Sequence, residues 1–447
     1  MTHARPRPPL GKVIALVHGI NPLRGLGGSA SYVRTHARAA THLGYEPHLF
    51  YAAPVATLVR TEFGIVHEAR LSRLNPFPRD GDFGIFARKA MLRWQAPRVA
   101  AAIARFLAPH PGPHVIHGFS AWGYTAVLAA EMLRRQGIAA SVVSSVWTTA
   151  DHESAMKAQR AALFGTRLTR LATRLEHAAI KRFVVPLEGR LFAASRIVTL
   201  NYETVHRLFL DAHGAGTEVR KLPYAAESAF LHQGTDLPGP LPGPIAEITP
   251  REAPLIVCVS RHDPRKGVDV LVRALARLRA RGLSIRACLV SGGVLLSEHR
   301  RLAERLGIAD IVAFPGWVRD AYAYLRHADV FVLPSFQEAS GSLSVLEAMQ
   351  AGASIVASNI DGIPEDLTDG DSALLVPPGD VGALSDALER LIADRALRVR
   401  LARRARETFE ERFSVEAFTR VLGELYAEVE TGRGHDGINP AEVSDDA

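Results

Sequence analysis

The stretch LIVCVSRHDPRKGVDVLVRAL (255–275) decides the fold class. Its first residues form an unbroken apolar run that gives way to a polar loop, and a helical pattern begins near Gly267. A short run that is apolar on both faces suits a strand buried within a parallel sheet. Such sheets bind ligands beyond the carboxyl ends of their strands, so the two cations of the loop, Arg261 and Lys266, stand where a ligand would lie. Gly267 supplies the backbone freedom to turn from loop into helix.

The same alternation extends in both directions. Toward the N-terminus, a strand at Lys12 to Val17 and a helix over 29–43 are followed by short apolar runs at 114–117, 141–146, 196–200 and 218–222. After residue 254 the pattern restarts, with strands near 255–259, 285–290, 311–314, 329–333 and 354–357, then helices at 381–393, 395–411 and 415–429. Strands interleaved with helices predict an α/β chain of two doubly wound, Rossmann-like domains, over 1–225 and 254–412. Between them, 226–253 includes DLPGPLPGP, whose prolines and glycines disfavour regular structure and mark a linker. Residues 52–98 form a long insert in the first domain, and the polar tail 431–447 is expected to be disordered. A chain of 447 residues with 47% hydrophobic content can bury two cores.

The chemistry concentrates in QEASGSLSVLEAMQAG (337–352). A small-residue turn there opens a helix, with Glu338 before the turn and Glu347 on the helix. Following Gly341, the amides of Ser342, Leu343 and Ser344 would point unpaired N–H groups and partial positive charge at a phosphate. The carboxylates would serve hydroxyl groups, so the site suits a polyhydroxylated anion.

Composition narrows the function classes. The formal charge of +7 fits an anionic ligand or surface, whereas 7% aromatic content with no basic-aromatic stripe argues against nucleic acid. Cys258 and Cys288, each inside an apolar run, read as core thiols in a reducing cytoplasm. No window reaches the roughly 18 consecutive apolar residues of a transmembrane helix. The DGD triplets at 80–82 and 369–371 read as turns, and no metal or other cofactor is expected. One segment, 153–190, is basic and helical, with Lys157, Arg160, Arg167, Arg170, Arg174, Lys181 and Arg182. It reads as a solvated face or as a peripheral contact with the inner face of a membrane.

Taken in order, SRHDPRKGVDVL, DIVAFPGWV (310–318), ADVFVLPS (328–335), the paired-glutamate segment, DGIPE (361–365) and SALLVPPGD (372–380) resemble the signature of glycosyltransferase family 4, on the GT-B fold. The likeness is looser at GGSASYVRTHARAATHLGYEPHLF (27–50) and ASRIVTLNYETVHRLF (194–209). It implies a retaining enzyme that moves a sugar from a nucleoside-diphosphate sugar to an acceptor hydroxyl, with a last helix (413–430) crossing back onto the first domain. It implies Arg261 and Lys266 at the donor diphosphate, Glu338 at the sugar, Glu347 at the ribose and the Val318 backbone at the base. Gly27 and Gly28 match the family's glycine loop. Eight residues separate Glu338 from Glu347 where the family commonly has seven, which places Ala339 in register with the first glutamate. A loop absorbs an extra residue more easily than a helix, so Glu338 keeps the role. The family's cleft histidine is replaced by Trp147, leaving His117 and His152 as acceptor-side candidates. A sugar-nucleotide epimerase or hydrolase, or a noncatalytic donor-binding subunit, are the alternative readings.

Overall fold

The computed structural model describes residues 12–19, 21–23, 28–53, 55–70, 85–164, 166–232, 239–338 and 340–431. Gly27, Ala339 and the tail from 432 lie outside them. The first sheet contains β1 (Val13–Val17), β2 (Glu46–Ala53), β3 (Thr57–Thr61), β4 (Gly64–Arg70), β5 (His114–Phe119), β6 (Ala140–Val146), β7 (Ile197–Leu200) and β8 (Val219–Lys221). Their order is β3-β4-β2-β1-β5-β6-β7-β8, parallel except for the β3–β4 hairpin at one edge. That hairpin is formed by part of the 52–98 insert.

The second sheet contains β9 (Leu255–Val259), β10 (Arg286–Val290), β11 (Val312–Gly316), β12 (Val330–Leu333), β13 (Ser354–Ser358) and β14 (Leu374–Val376). It is wholly parallel, in the order β11-β10-β9-β12-β13-β14. Strand order reverses between β9 and β12, and in the first sheet between β1 and β5. Each reversal opens a crevice at the carboxyl ends of the strands. The loops carrying Lys266 and Glu338 follow β9 and β12, and so flank one crevice.

Apolar runs place these strands inside: every residue of β1, β5, β12 and β13 is buried, with helices on both faces of each sheet. Cys258 and Cys288 are free and buried on adjacent strands, and burial pushes both thiols up to about 12. The linker differs from expectation, because short helices form at Glu227–Leu231 and Gly243–Ala246. In the second of these the proline sits in the first turn, where its missing N–H has no intrahelical bond to lose.

The last helix, Val415–Thr431, buries Val415, Phe418, Leu422, Leu425, Tyr426 and Val429 along one face. That face lies on the first domain. Tyr426 Oη is 2.8 Å from His117 Nδ1, Tyr45 Oη donates to Glu430 at 2.8 Å, and the Phe418 and His36 rings are 5.1 Å apart.

Candidate active site

The loop after β9 and the loop after β12 are built to touch. Asp263 caps the 3-10 turn Pro264–Lys266, accepting from the Arg265 amide at 3.0 Å, and Gly267 follows at a φ of 58°. A Cβ on Gly267 would fall 2.1 Å from the Pro334 carbonyl oxygen, so only glycine allows the approach. The Phe336 amide donates to the Arg265 carbonyl at 2.7 Å. This contact brings Lys266 Nζ to 2.7 and 2.6 Å from the two oxygens of Glu338. Ser335 Oγ donates to the same carboxylate at 2.5 Å, and the Glu338 amide donates to Asp361 Oδ2 at 2.6 Å. The lysine and glutamate side chains are 14% and 5% exposed. Arg261 stands apart: it is 54% exposed and pairs with Asp263 at 3.0 Å.

Helix Leu343–Ala351 starts at Ser342, whose side chain makes no capping bond and instead lies 3.0 Å from Ser344 Oγ. Among the described residues no side chain caps its opening turn, the end of a helix that favours an anion. Helix Gly28–His42 begins directly opposite, and a Cβ on Gly28 would sit 3.4 Å from Leu343 Cδ1. Two helix N-termini therefore converge across the cleft, each bringing partial positive charge. One turn further in, Glu347 is partly buried. Desolvation, with the Asp320 and Glu227 carboxylates adding to it, pushes its carboxyl up to about 8. Glu227 itself is gripped by Arg34, through Nε at 2.8 and 2.9 Å and Nη2 at 2.7 Å. Val318 is half-buried just beyond β11, next to exposed Trp317, whose Nε1 would lie 2.2 Å from a Cβ on Gly292.

The acceptor-side candidates separate. His117 does not reach the cleft: it is fully buried, its Nδ1 engaged by Tyr426 and its Nε2 2.7 Å from Ser145 Oγ, and burial holds its pKa well below the ordinary histidine value. Trp147 packs in an aromatic group, its ring centroid 5.4 Å from Tyr32 and 5.7 Å from His18. His152, in the first turn of helix Ala150–Phe164, lies within electrostatic reach of Asp361, the residue that holds the Glu338 amide. Burial lowers its pKa, while Asp361 and Asp151 act in the opposite direction.

Reading the residues alone missed a clasp between the domains. Tyr202 enters the second domain between Gly341 and Gly362, where added Cβ atoms would fall 1.9 and 2.5 Å from its ring and hydroxyl atoms. Its Oη donates to buried Asp366 Oδ2 at 2.7 Å. Glu365 accepts from the amides of Glu203 and Thr204 at 2.9 and 3.2 Å, capping helix Glu203–His213 from the other domain, and pairs with Lys221 at 3.1 Å. The Gly362 amide donates to the Ser340 carbonyl at 3.0 Å, which joins the clasp to the donor-side turn. The glycine and acid pattern of DGIPED beside NYET was the available signal.

Burial pushes Asp366 up to about 7, against the lowering effects of Tyr202 and Arg412. The folded state therefore holds this proton more tightly than the unfolded chain, whose carboxyl has an ordinary value of 3.8. The stability it contributes is complete below that value and is lost as pH rises through about 7. Asp366→Asn, which keeps an acceptor for Tyr202, should flatten the fall in melting temperature between about pH 4 and pH 8. An unchanged slope in thermal unfolding would show that Asp366 titrates normally.

Two parallel-sheet domains facing across a cleft, with the last helix returned to the first, define the GT-B architecture. The chain belongs to the group 1 glycosyltransferases, the nucleotide-sugar-dependent transferases of family 4. The family described as "Glycosyl transferases group 1" matches residues 253–394. A GDP-mannose-dependent alpha-(1-6)-phosphatidylinositol monomannoside mannosyltransferase of Mycobacterium tuberculosis is 31% identical over 287 residues, covering 61% of this chain and 73% of that protein. The lipopolysaccharide core biosynthesis glycosyltransferase LpsE of Rhizobium meliloti is 35% identical over 179 residues, 40% of this chain and about half (51%) of its own length. Sucrose-phosphate synthase from Thermosynechococcus elongatus shares the fold, with a TM-score of 0.67 at 22% identity over 94% of this chain and 100% of that one. Among the described residues no helix is long and apolar enough to cross a membrane.

Proposed function

We propose that the chain transfers a sugar, with retention of anomeric configuration, from a nucleoside-diphosphate sugar to an acceptor hydroxyl. The observation that carries this reading is the Lys266–Glu338 pair set beside the converging N-termini of helices Gly28–His42 and Leu343–Ala351. The diphosphate lies on the first turn at Ser342, Leu343 and Ser344, with Gly341 leaving room for the turn and Gly28 closing from the opposite side. Glu347 meets the ribose hydroxyls, and the Val318 backbone meets the base. Glu338 orients the sugar, and Arg261 swings from its exposed pairing with Asp263 onto the phosphates.

Glu338 is committed to Lys266 and Ser335 and is therefore not poised as a covalent nucleophile. A front-face displacement fits this arrangement. The bond from the anomeric carbon to the leaving diphosphate oxygen breaks, the acceptor oxygen bonds on the same face, and the departing phosphate oxygen takes the acceptor's proton. Lys266 and the helix N-termini stabilise the charge that grows on the diphosphate. Trp147 and His152 line the acceptor side, and basic segment 153–190 brings that side to a membrane surface. A mycobacterial relative is described as GDP-mannose-dependent, and a GT-B neighbour, Anabaena HepE, as in complex with UDP and glucose, which makes GDP- and UDP-sugars the first donors to test.

The test is a panel of nucleotide sugars, followed for binding by calorimetry and for turnover with and without acceptors. One donor should bind selectively, and Glu347→Ala should weaken it about two- to tenfold, in line with about 0.5 to 1.5 kcal/mol for a hydrogen bond to an uncharged group. Absence of binding to every donor would overturn the proposal. Turnover of the donor alone, with no transfer to any acceptor, would favour an epimerase or hydrolase.

A further inference from the structure

The chain leaving β8 is anchored to both domains. The Leu222 amide donates to the Leu200 carbonyl at 2.8 Å, and further along Arg34 grips Glu227. Ser228 Oγ then donates to Gln350 Oε1 at 2.7 Å on helix Leu343–Ala351, and Gln350 Nε2 returns a bond to the Ser228 carbonyl at 3.3 Å. Between these anchors stands Tyr224. Its ring stacks on Tyr32, with centroids 4.9 Å apart and planes 23° from parallel, and lies 6.1 Å from the ring of Tyr202 in the interdomain clasp. Tyr32 is one turn along the helix whose first residue, Gly28, faces Leu343, so the stack sets Tyr224 beside the proposed donor site.

Tyr224 is 8% exposed, and its hydroxyl makes no hydrogen bond among the described residues, yet it is not sealed from solvent. A tyrosine oxygen in a packed setting ordinarily finds a partner, since leaving it dry and unpaired costs about 1 to 3 kcal/mol. Two neighbouring phenols follow that rule: Tyr202 donates to Asp366, and Tyr426 lies 2.8 Å from His117 Nδ1. The Tyr224 phenol instead lies within electrostatic reach of Glu338. Burial, followed by the Glu338 charge, raises its pKa, so it keeps its proton and stays a hydrogen-bond donor through the neutral range.

We propose that Tyr224 determines donor specificity, its hydroxyl hydrogen-bonding to a hydroxyl of the transferred sugar beside Glu338. This rests on the transferase reading of the same site. A ring held by a stack, on a segment fixed at both ends, gives up little freedom when the sugar binds. A site that spends a fixed polar group on one substrate hydroxyl discriminates against the analogue lacking it, because the group is then left unpaired.

The test is a cycle between enzyme and substrate. The nucleotide sugar that wild type turns over is compared with its monodeoxy analogues, on wild type and on Tyr224→Phe, which keeps the stacked ring. For one sugar hydroxyl, the penalty of its removal on kcat/KM should be about two- to tenfold smaller in Tyr224→Phe, the range for one neutral hydrogen bond. Binding of the bare nucleoside diphosphate and the melting temperature should stay at wild-type values. Tyr32→Phe removes a hydroxyl from the other, buried ring of the stack and should leave the coupling in place. Equal penalties in wild type and Tyr224→Phe at every sugar hydroxyl overturn the proposal. Loss of nucleoside-diphosphate binding in Tyr224→Phe, or loss of the coupling in Tyr32→Phe, also overturns it and makes the tyrosine a packing residue. A coupling found with deoxygenated acceptors and not with donors moves the hydroxyl to the acceptor and overturns it as well. Failure of the transferase reading registers separately, as absence of wild-type binding to every nucleotide sugar, whereas failure of this proposal registers as wild-type turnover without the coupling.

Discussion

Lys266→Ala should lower kcat by two to three powers of ten, with a much smaller change in donor KM. The magnitude is that of removing one preorganised donor from a charge that develops in the transition state. This ammonium sits within 2.7 Å of both Glu338 oxygens, in a site where the glutamate is 5% exposed. Alanine therefore removes the cation and also strands a buried carboxylate, whose remaining side-chain partner among the described residues is the Ser335 hydroxyl. Breaking a buried pair on one side typically costs about 3 to 5 kcal/mol of stability, so thermal unfolding must be followed beside turnover. Lys266→Met combined with Glu338→Gln separates the two effects. The double variant leaves no unpaired charge and should regain most of the lost stability while remaining as inactive as Lys266→Ala. Retention of more than about a tenth of wild-type kcat by Lys266→Ala would place the charge stabilisation elsewhere.

That pair marks the limit of what the residues alone disclosed. Strand, loop and helix at 255–275 were legible because burial on both faces leaves an apolar run and because Gly267 breaks it at the turn. Lys266 and Glu338 were each legible as candidate ligands, the first from its loop after a strand and the second from its place before the turn that opens a helix. Their bond to each other was not, because it depends on how closely two loops 72 residues apart approach, and that distance is set by the Gly267–Pro334 contact. His117 shows the opposite failure. It stands at the end of a strand, as a cleft residue would, yet the last helix covers it and Tyr426 takes its Nδ1. The basic residues of 153–190 were visible in the chain, but the exposure of Leu168, Leu171, Leu175 and Phe183 was not, since spacing fixes which residues share a face and not whether a neighbour covers it.

Gly341→Ala should weaken donor binding by at least tenfold and lower stability by about 1 to 3 kcal/mol, the usual cost of forcing an extra methyl into a packed site. The new Cβ would lie 1.9 Å from Tyr202 Oη and 2.1 Å from its Cζ. Tyrosine is a rigid ring and cannot yield there, because Gly362 lies against its other side and Asp366 holds its hydroxyl at 2.7 Å. What moves instead is the turn leading to Ser342, whose amide and those after it form the proposed phosphate seat. The two domains are then forced apart at the contact that brings Gly28 opposite Leu343, so the same substitution disturbs the seat and its closure. The cause can be isolated by cutting back the tyrosine. In Gly341→Ala/Tyr202→Ala the clash is gone, and donor affinity should recover toward that of Tyr202→Ala alone, a coupling that a double-mutant cycle reads directly. Additive losses in that cycle would mean that the two positions act separately, and wild-type affinity in Gly341→Ala would mean that the tyrosine leaves the turn free to adjust.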